Sequence, residues 1–316
     1  MKETGITKAK IVILGRFNVD LTARISHFPI VGETIKATSL QIGAGGKGFN
    51  QAIAAQRAGA EVCLITRIGS DEFTEMALQN FADEHIDTRY LFQDNRFRTG
   101  TALITVEENT GENIIVITPG ACDHITAAEI EQARNEIENA KVFLSQLEIN
   151  MDAIEKAVDT ASIKGVKVIL NPAPAQPLSD NLMKKIDVLI PNEAEASVLS
   201  GIPLATIDDA RKAARILLGK GAKSVIITLG NKGSLVVTPA REQLVEALKV
   251  SVVDTTGAGD AYIGTLAAAL AEGKNIFEAA EFANAAGALC VTKKGAANSM
   301  PCRNEIDVML KKTKPH

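Results

Sequence analysis

The strongest constraint on this chain is an alternation. Short β-branched runs recur along it, separated by Ala-rich segments whose apolar residues fall at helical spacing. Lys10–Leu14, Glu61–Ile65, Val142–Ser145, Val166–Leu170, Asp187–Ile190 and Ser224–Thr228 read as buried strands, whereas Gln51–Ala58, Thr126–Ile137, Met151–Ile163, Ala194–Leu199 and Ile207–Leu218 read as helices. Strands without an alternating polar face must be covered on both sides, and intervening helices provide the cover. The pattern predicts an α/β fold with a mostly parallel sheet sandwiched by helices. No Gly/Ser/Pro-rich linker, repeat or low-complexity tract divides the 316 residues, so residues 1–316 are expected to form a single domain.

Two stretches break the rhythm. Residues 20–42 and 99–118 carry shorter, alternating patterns; Thr101–Val106 and Asn113–Thr118, joined by Glu-Glu-Asn-Thr-Gly-Glu, read as a hairpin. These two excursions, about 16–44 and 99–118, predict a small antiparallel β-sheet lid beside the main sheet.

Charge and aromatic content narrow what such a chain can bind. Its 34 Lys+Arg against 38 Asp+Glu leave a formal net charge of −4, without the basic excess that phosphate-backbone binding demands. No Trp, two Tyr and ten Phe offer little stacking surface for bases. Nucleic acid is not expected as a partner, and a small polar ligand fits better. Cys63, Cys122, Cys290 and Cys302 form no C-x-x-C pair, and the opening Met-Lys-Glu-Thr-Gly has no apolar signal segment. Reduced, mostly buried thiols in a cytoplasmic protein are expected. No apolar run reaches the ~18 residues that span a bilayer, so no membrane role is expected. His27, His85, His124 and His316 lack metal-ligand spacing and read as surface residues, with no structural metal.

The glycine clusters carry the chemistry. Gly43-Ala-Gly-Gly-Lys-Gly48 satisfies G-x-G-x-x-G, but a dinucleotide fingerprint follows the first core strand, and this cluster follows the lid segment. Nor is it a Walker A loop, because Gly48 stands where Ser or Thr would follow Lys47. Glycines there let backbone approach a ligand, with Lys47, Asn50 and Gln51 as donors at a helix start. The plainer alternative is a turn with Lys47 solvated. Asn18 and Asp20, at the carboxyl end of the first strand where open α/β sheets bind ligands, favour a hydroxyl-rich ligand.

The second cluster, Asp254-Thr-Thr-Gly-Ala-Gly-Asp260, precedes the Ala-rich helix Ala261–Ala271. Gly257, Ala258 and Gly259 can present successive N–H groups as an anion hole for a phosphoryl group. Asp260 behind them is either a helix-start acid favoured by the macrodipole or the base that deprotonates an attacking hydroxyl. In-line phosphoryl transfer favours the base.

This combination resembles the ribokinase-like sugar kinase superfamily over about Ile11 to Leu310. The likeness rests on the ordered set Asn18-Val-Asp20, Phe28-Pro-x-x-Gly-Glu33, Gly45-Gly-Lys-Gly-Phe-Asn-Gln51, Gln146-Leu-Glu148, Asn171-Pro-Ala-Pro174, Pro191-Asn-Glu-Ala-Glu195, Thr228-Leu-Gly230, the Asp254–Asp260 run and Lys294-Gly-Ala296. It implies a ribokinase-like fold of nine-stranded type with a β-sheet lid that often clasps a second copy, and hence a homodimer through the lid. The implied reaction is ATP-dependent transfer to the primary hydroxyl of a pentose.

By position, the resemblance gives Asn18, Asp20, Gly46, Lys47, Asn50 and Glu148 to the sugar and makes Asp260 the base. Asn192, Thr228, Gly230 and Gly233 would meet the nucleotide, joined by Gly259 and, near the adenine, Asn284. Glu195 resembles the acid that organises magnesium and phosphate waters. A monovalent cation, usually potassium, is implied at Asp254, Thr256, Cys290, Lys293, Gly295 and Ser299, mostly on backbone carbonyls.

Departures fall at the sugar end. Arg16-Phe17 stands where the family usually has Ser and a small aliphatic, and Phe49 replaces a common Ala; either Phe stacks on a pentose or packs under the lid. Asn18 favours ribose over 2-deoxyribose, because a buried amide left unpaired costs ~1–3 kcal/mol. A kinase for 2-deoxyribose or a nucleoside, and a sugar-binding regulatory protein without turnover, are the alternatives.

Overall fold

Lys10–Leu14 shows why this chain needs helices on both sides of its sheet. In the computed structural model, which describes residues 9–313, the four apolar side chains of this strand are buried and divide by parity. Ile11 and Ile13 enter one apolar cluster, Val12 and Leu14 another, as expected when successive side chains point to opposite faces.

Along the chain, β1 (Lys10–Leu14) leads to β2 (Asn18–Ile25), β3 (Ser39–Gly45), α1 (Lys47–Arg57), β4 (Glu61–Gly69), α2 (Thr74–Asp83), β5 (Leu91–Asp94), β6 (Gly100–Glu107) and β7 (Asn113–Thr118). Next come α3 (Ala127–Gln132), α4 (Arg134–Glu138), β8 (Val142–Gln146), α5 (Met151–Ile163), β9 (Lys167–Asn171), α6 (Asp180–Met183), β10 (Val188–Leu189), α7 (Glu193–Ser200), α8 (Ile207–Gly219) and β11 (Val225–Thr228). The described chain ends with β12 (Ser234–Val237), β13 (Glu242–Val245), α9 (Ala258–Ala271), α10 (Ile276–Cys290) and α11 (Arg303–Thr313).

The main sheet has nine strands in the order β13-β12-β11-β10-β9-β8-β1-β4-β5, parallel except at β12 and β13. From β1 the chain goes to β4 on one side and later places β8 on the other. The carboxyl ends of β1 and β8 therefore flank a topological switch point, where open α/β sheets hold ligands.

The two excursions meet in a second sheet, ordered β3-β2-β6-β7. Its β6/β7 hairpin runs in register from Thr101↔Thr118 to Val106↔Asn113, as the alternation predicts. The sheet is mixed rather than antiparallel, because β2 and β6 come from separate excursions and pair in parallel from Asn18↔Gly100 to Ile25↔Glu107.

Three boundaries differ from expectation. Arg16 and Phe17 are buried in the body, and the first excursion begins only at Asn18. Residues 126–137 split into two short helices at Ala133. Helix α1 starts at Lys47, not Gln51, because Gly46 caps it at φ 94° and brings Gly48, Phe49 and Asn50 inside. Among the described residues no helix is long and apolar enough to cross a membrane.

Helix α9 is buried along nearly its whole length and packs against both α1 and α10. Close approach to α1 depends on Gly264: a Cβ there would lie 2.3 Å from the Gln51 carbonyl oxygen and 2.7 Å from the Ala54 Cβ. Gly264→Ala gains about 1 kcal/mol of helix propensity but must push apart two backbones, and overpacking of that kind costs about 1–3 kcal/mol. Net destabilisation in urea titrations is the expected outcome; a variant at least as stable as wild type contradicts this account of the packing.

Candidate functional site

The site begins where β1 hands the chain to β2. Gly46 sits against that turn: a Cβ on it would lie 2.6 Å from the Arg16 carbonyl oxygen and 2.9 Å from Asn18 Oδ1. Asn18 and Asp20 open β2, and the Asn18 amide donates to Asp20 Oδ1 at 2.5 Å. Lys47, the first residue of α1, donates its main-chain N–H to Glu148 Oε2 at 2.9 Å. Carboxyl ends of two neighbouring strands and one helix N-terminus thus converge.

Asp260 closes the group from the first turn of α9 and is buried. Asn50 Nδ2 donates to its Oδ2 at 3.0 Å and Gln51 Nε2 to its Oδ1 at 2.9 Å. Behind them Gln146 Nε2 donates to Gln51 Oε1 at 2.7 Å, Gln51 Nε2 also reaches Asn171 Oδ1 at 3.2 Å, and Asn171 donates to the Ile190 carbonyl at 2.9 Å. This chain of amides fixes the plane of the carboxylate. Asn50 Oδ1 is buried without a protein partner, an acceptor that a ligand hydroxyl would satisfy.

The charges are mutually felt. The Lys47 pKa is raised chiefly by the Asp260 carboxylate, against burial, with Glu148 and Glu195 adding to the effect. Burial raises Glu148 and Glu195. Asp20 is pushed up to about 6 by burial, opposed by the Asn18 hydrogen bond and reinforced by Glu148 and Asp260. Perturbed carboxylates gathered in one crevice mark a functional site.

Gly257 caps the N-terminus of α9 with φ 78°. The Ala258 N–H is donated to the Thr255 carbonyl at 3.2 Å, so within the Gly257–Gly259 run that amide is already engaged. Open space lies over Gly259. Of the positions expected at a nucleotide, Asn192 and Thr228 lie side by side in a parallel bridge, and Gly230 heads the turn that ends at Gly233. Asn192 and Glu195 bond each other as a capping box on α7, with contacts of 2.8–2.9 Å. Asn284, on α10, donates to the Glu246 carbonyl at 2.7 Å beyond the end of β13.

The six positions expected at a monovalent cation also gather. Asp254 Oδ1 accepts from the Thr256 N–H (2.9 Å) and hydroxyl (2.7 Å), and Oδ2 accepts from the Gly295 N–H at 2.9 Å. Cys290 Sγ lies 2.9 Å from Ser299 Oγ. The Lys293 ammonium pairs instead with Glu305 at 2.9 Å, and its main-chain N–H donates to the Cys290 carbonyl at 3.1 Å.

Some groups could be anticipated from the sequence only in part. Gln51 was expected as a donor, whereas Gln146 and Asn171 appeared only inside motifs; buried amides at strand ends are the signal for them. Phe17 and Phe49 pack: both are fully buried, with ring centroids 5.2 Å apart edge to face, and Phe49 stacks on Phe81 at 5.1 Å. Of the histidines, His27, His85 and His124 are exposed, and His316 lies outside the described residues. Cys63, Cys122 and Cys290 are buried free thiols and Cys302 is exposed.

Comparison with known proteins supplies the family. Residues 8–303 match the family described as pfkB family carbohydrate kinase. Over 295 residues the chain is 41% identical to a ribokinase of Haemophilus influenzae, covering 93% of this chain and 96% of that one. It is 35% identical over 301 residues to a deoxyribokinase of Salmonella typhi, covering 95% and 98%. The solved structure of Arabidopsis thaliana ribokinase complexed with ribose and ATP superposes with a TM-score of 0.88 at 32% identity, covering 96% of this chain and 99% of that one.

The Asp20 carboxyl yields a stability test. Its pKa lies above the ordinary 3.8, so folding takes up a proton between the two values. Its contribution to stability is therefore fullest below about pH 4 and is lost as pH rises through about 6. Asp20→Asn removes this dependence. The variant is expected to be more stable than wild type at pH 7, by up to about 3 kcal/mol at about 1.4 per unit, and to match it near pH 4. Urea titrations at both pH values decide it; a variant less stable at pH 7 overturns the assignment.

Proposed function

The chain belongs to the pfkB carbohydrate kinase family, and from that premise we propose that it transfers the γ-phosphoryl group of ATP to the 5-hydroxyl of D-ribose. One observation carries the reading: Asp260, both oxygens held by amide donors, sits buried in the first turn of α9, within electrostatic reach of Lys47 and Glu148. A carboxylate there can take the hydroxyl proton while the helix end stabilises the charge on the transferring group. The new oxygen–phosphorus bond forms as the bond to the bridging oxygen breaks, and ADP leaves with that electron pair.

Asn18, Asp20, Lys47, Asn50 and Glu148 would bind the sugar, with Gly46 giving it backbone access. Ribose is favoured over 2-deoxyribose because a buried acceptor such as the unpartnered Asn50 Oδ1 is left unsatisfied when the hydroxyl that would bond it is missing. The likeness to a deoxyribokinase keeps 2-deoxyribose as the second reading. A nucleoside is disfavoured, because Phe17 and Phe49 are fully buried and cannot face a base.

Asn192, Thr228, Gly230, Gly233, Gly259 and Asn284 would meet the nucleotide, and Glu195 would orient the waters of magnesium. Carboxylate, hydroxyl and carbonyl oxygens at Asp254, Thr256, Cys290, Lys293, Gly295 and Ser299 fit a hard cation such as potassium. When bound, magnesium would offset phosphate charge and potassium would brace the loop that carries Gly257–Gly259. The buried thiols support a cytoplasmic location.

A homodimer through the small sheet forms part of the same reading. Pairing registers put Ile42, Leu103 and Val116 in one row across the sheet and Leu40 and Ile114 in the next, on the same face. These side chains are 47–65% exposed, an apolar patch of the kind that a second copy covers. Light scattering should find a dimer, and the double variant Leu103→Glu, Val116→Glu a monomer; a monomeric wild type ends this part of the proposal.

The activity test is coupled ADP release with ribose, 2-deoxyribose and nucleosides, in potassium and in sodium. Higher kcat/KM for ribose than for 2-deoxyribose, and faster turnover in potassium, are expected. Asp260→Asn should lower kcat by about 10²–10⁴ with ATP affinity nearly unchanged. Near-normal turnover in that variant would remove Asp260 as the base.

A further inference from the structure

Arg16 stands where the family likeness leads one to expect Ser, and it is 5% exposed. A buried guanidinium is costly unless its donors are matched. Here they are. Nε donates to the Glu148 carbonyl at 2.8 Å, and Nη2 donates to the same carbonyl and pairs with Asp123 Oδ1 at 2.5 Å. Nη1 reaches the Pro119 carbonyl at 3.4 Å. The Arg16 main chain takes part too, since its carbonyl accepts from the Phe49 N–H at 3.1 Å.

These bonds close a circuit. Glu148 is gripped at its carbonyl by Arg16 and at its carboxylate by the Lys47 N–H. Lys47 and Phe49 lie in the first turn of α1, which returns to the Arg16 main chain. Pro119 follows β7 directly, and Asp123 lies in the single turn Gly120–His124 beside β4 and β6. One side chain therefore ties the exit of the small sheet to the loop after β8. It also lines a cavity of about 380 Å³ with Ile117, Asp123, Glu148, Pro174 and Gln176.

We propose that Arg16 is a positioning residue for the acceptor sugar: it fixes the Glu148 main chain, and with it the carboxylate at the sugar end of the site, against the base of the small sheet. The inference rests on the kinase reading above and deepens it. A fork of donors suits the task, since one planar group serves two directions at once, which an ammonium on a flexible stem does not.

Steady-state kinetics of Arg16→Ser, Arg16→Lys and Asp123→Asn, beside wild type, test it. Arg16→Ser should raise the KM for ribose about 10- to 100-fold while the KM for ATP stays within about 2-fold and kcat within about 3-fold. Arg16→Lys should recover part of the loss, and Asp123→Asn should raise the ribose KM about 3-fold. If Arg16→Ser does not fold, Arg16→Lys decides: a wild-type melting temperature with a weakened ribose KM supports positioning, and a lowered melting temperature with unchanged KM overturns it. Equal rises in both KM values overturn it as well. No ribose-dependent ADP release from wild type would overturn the kinase reading and this inference together, whereas normal wild-type turnover with an unaltered variant KM would overturn this inference alone.

Discussion

The contact of Gly264 with the Gln51 carbonyl sets the distance between the two helices on which the rest of the site depends. Only because α1 and α9 touch backbone to backbone can the amides of Asn50 and Gln51 reach both oxygens of Asp260. Small residues dominate this seam, with Ala54 and Ala55 on one side and Ala261 and Ala268 in the same apolar cluster. Larger side chains would fill the gap with more apolar area and hold the carboxylate out of reach. The alanine-rich composition of these helices is thus tied to the chemistry as well as to helix propensity.

Electrostatics then decide what the crevice accepts. Asp20, Glu148, Glu195 and Asp260 all lie within reach of one another or of Lys47, so carboxylates outnumber the ammonium among them. A bare polyphosphate would meet net repulsion there. On the proposed kinase reading, the N-terminus of α9 and cations carried with the nucleotide would supply the missing positive charge. A chain with net charge −4 can on these terms take an anionic substrate without a basic surface.

Much of this was legible in the sequence for definite reasons. Unbroken runs such as Val142–Ser145 and amphipathic runs such as Ile207–Leu218 declare themselves by periodicity, and both appear with boundaries within a residue or so. Glycines with special backbone roles declared the two clusters. Three things did not show. The parallel pairing of β2 with β6 joins segments far apart in sequence, and no local pattern encodes it. Packing of Phe17 and Phe49 was one of two readings of the sequence, but Phe81 as their partner is brought near only by the fold. The partners of Arg16 lie 103 to 132 residues away, so its place could be seen as a departure but not explained.

The seam between the two sheets is where these threads meet. Asn18 pairs with Gly45 on one side and Gly100 on the other, so the first residue of β2 is built into the base of the small sheet. Asp260, Gln51 and Gln146 belong to the body, braced by amide bonds across strand and helix ends. Glu148 stands between the two groups, bonded to Lys47 on one side and to Arg16 on the other. A ligand that bonds Asn18, Glu148 and Asp260 at once must therefore span both sheets, and its fit depends on their relative placement as much as on any one side chain. Bonds that cross this seam away from the crevice, as those of Arg16 do, bear on specificity without touching the ligand.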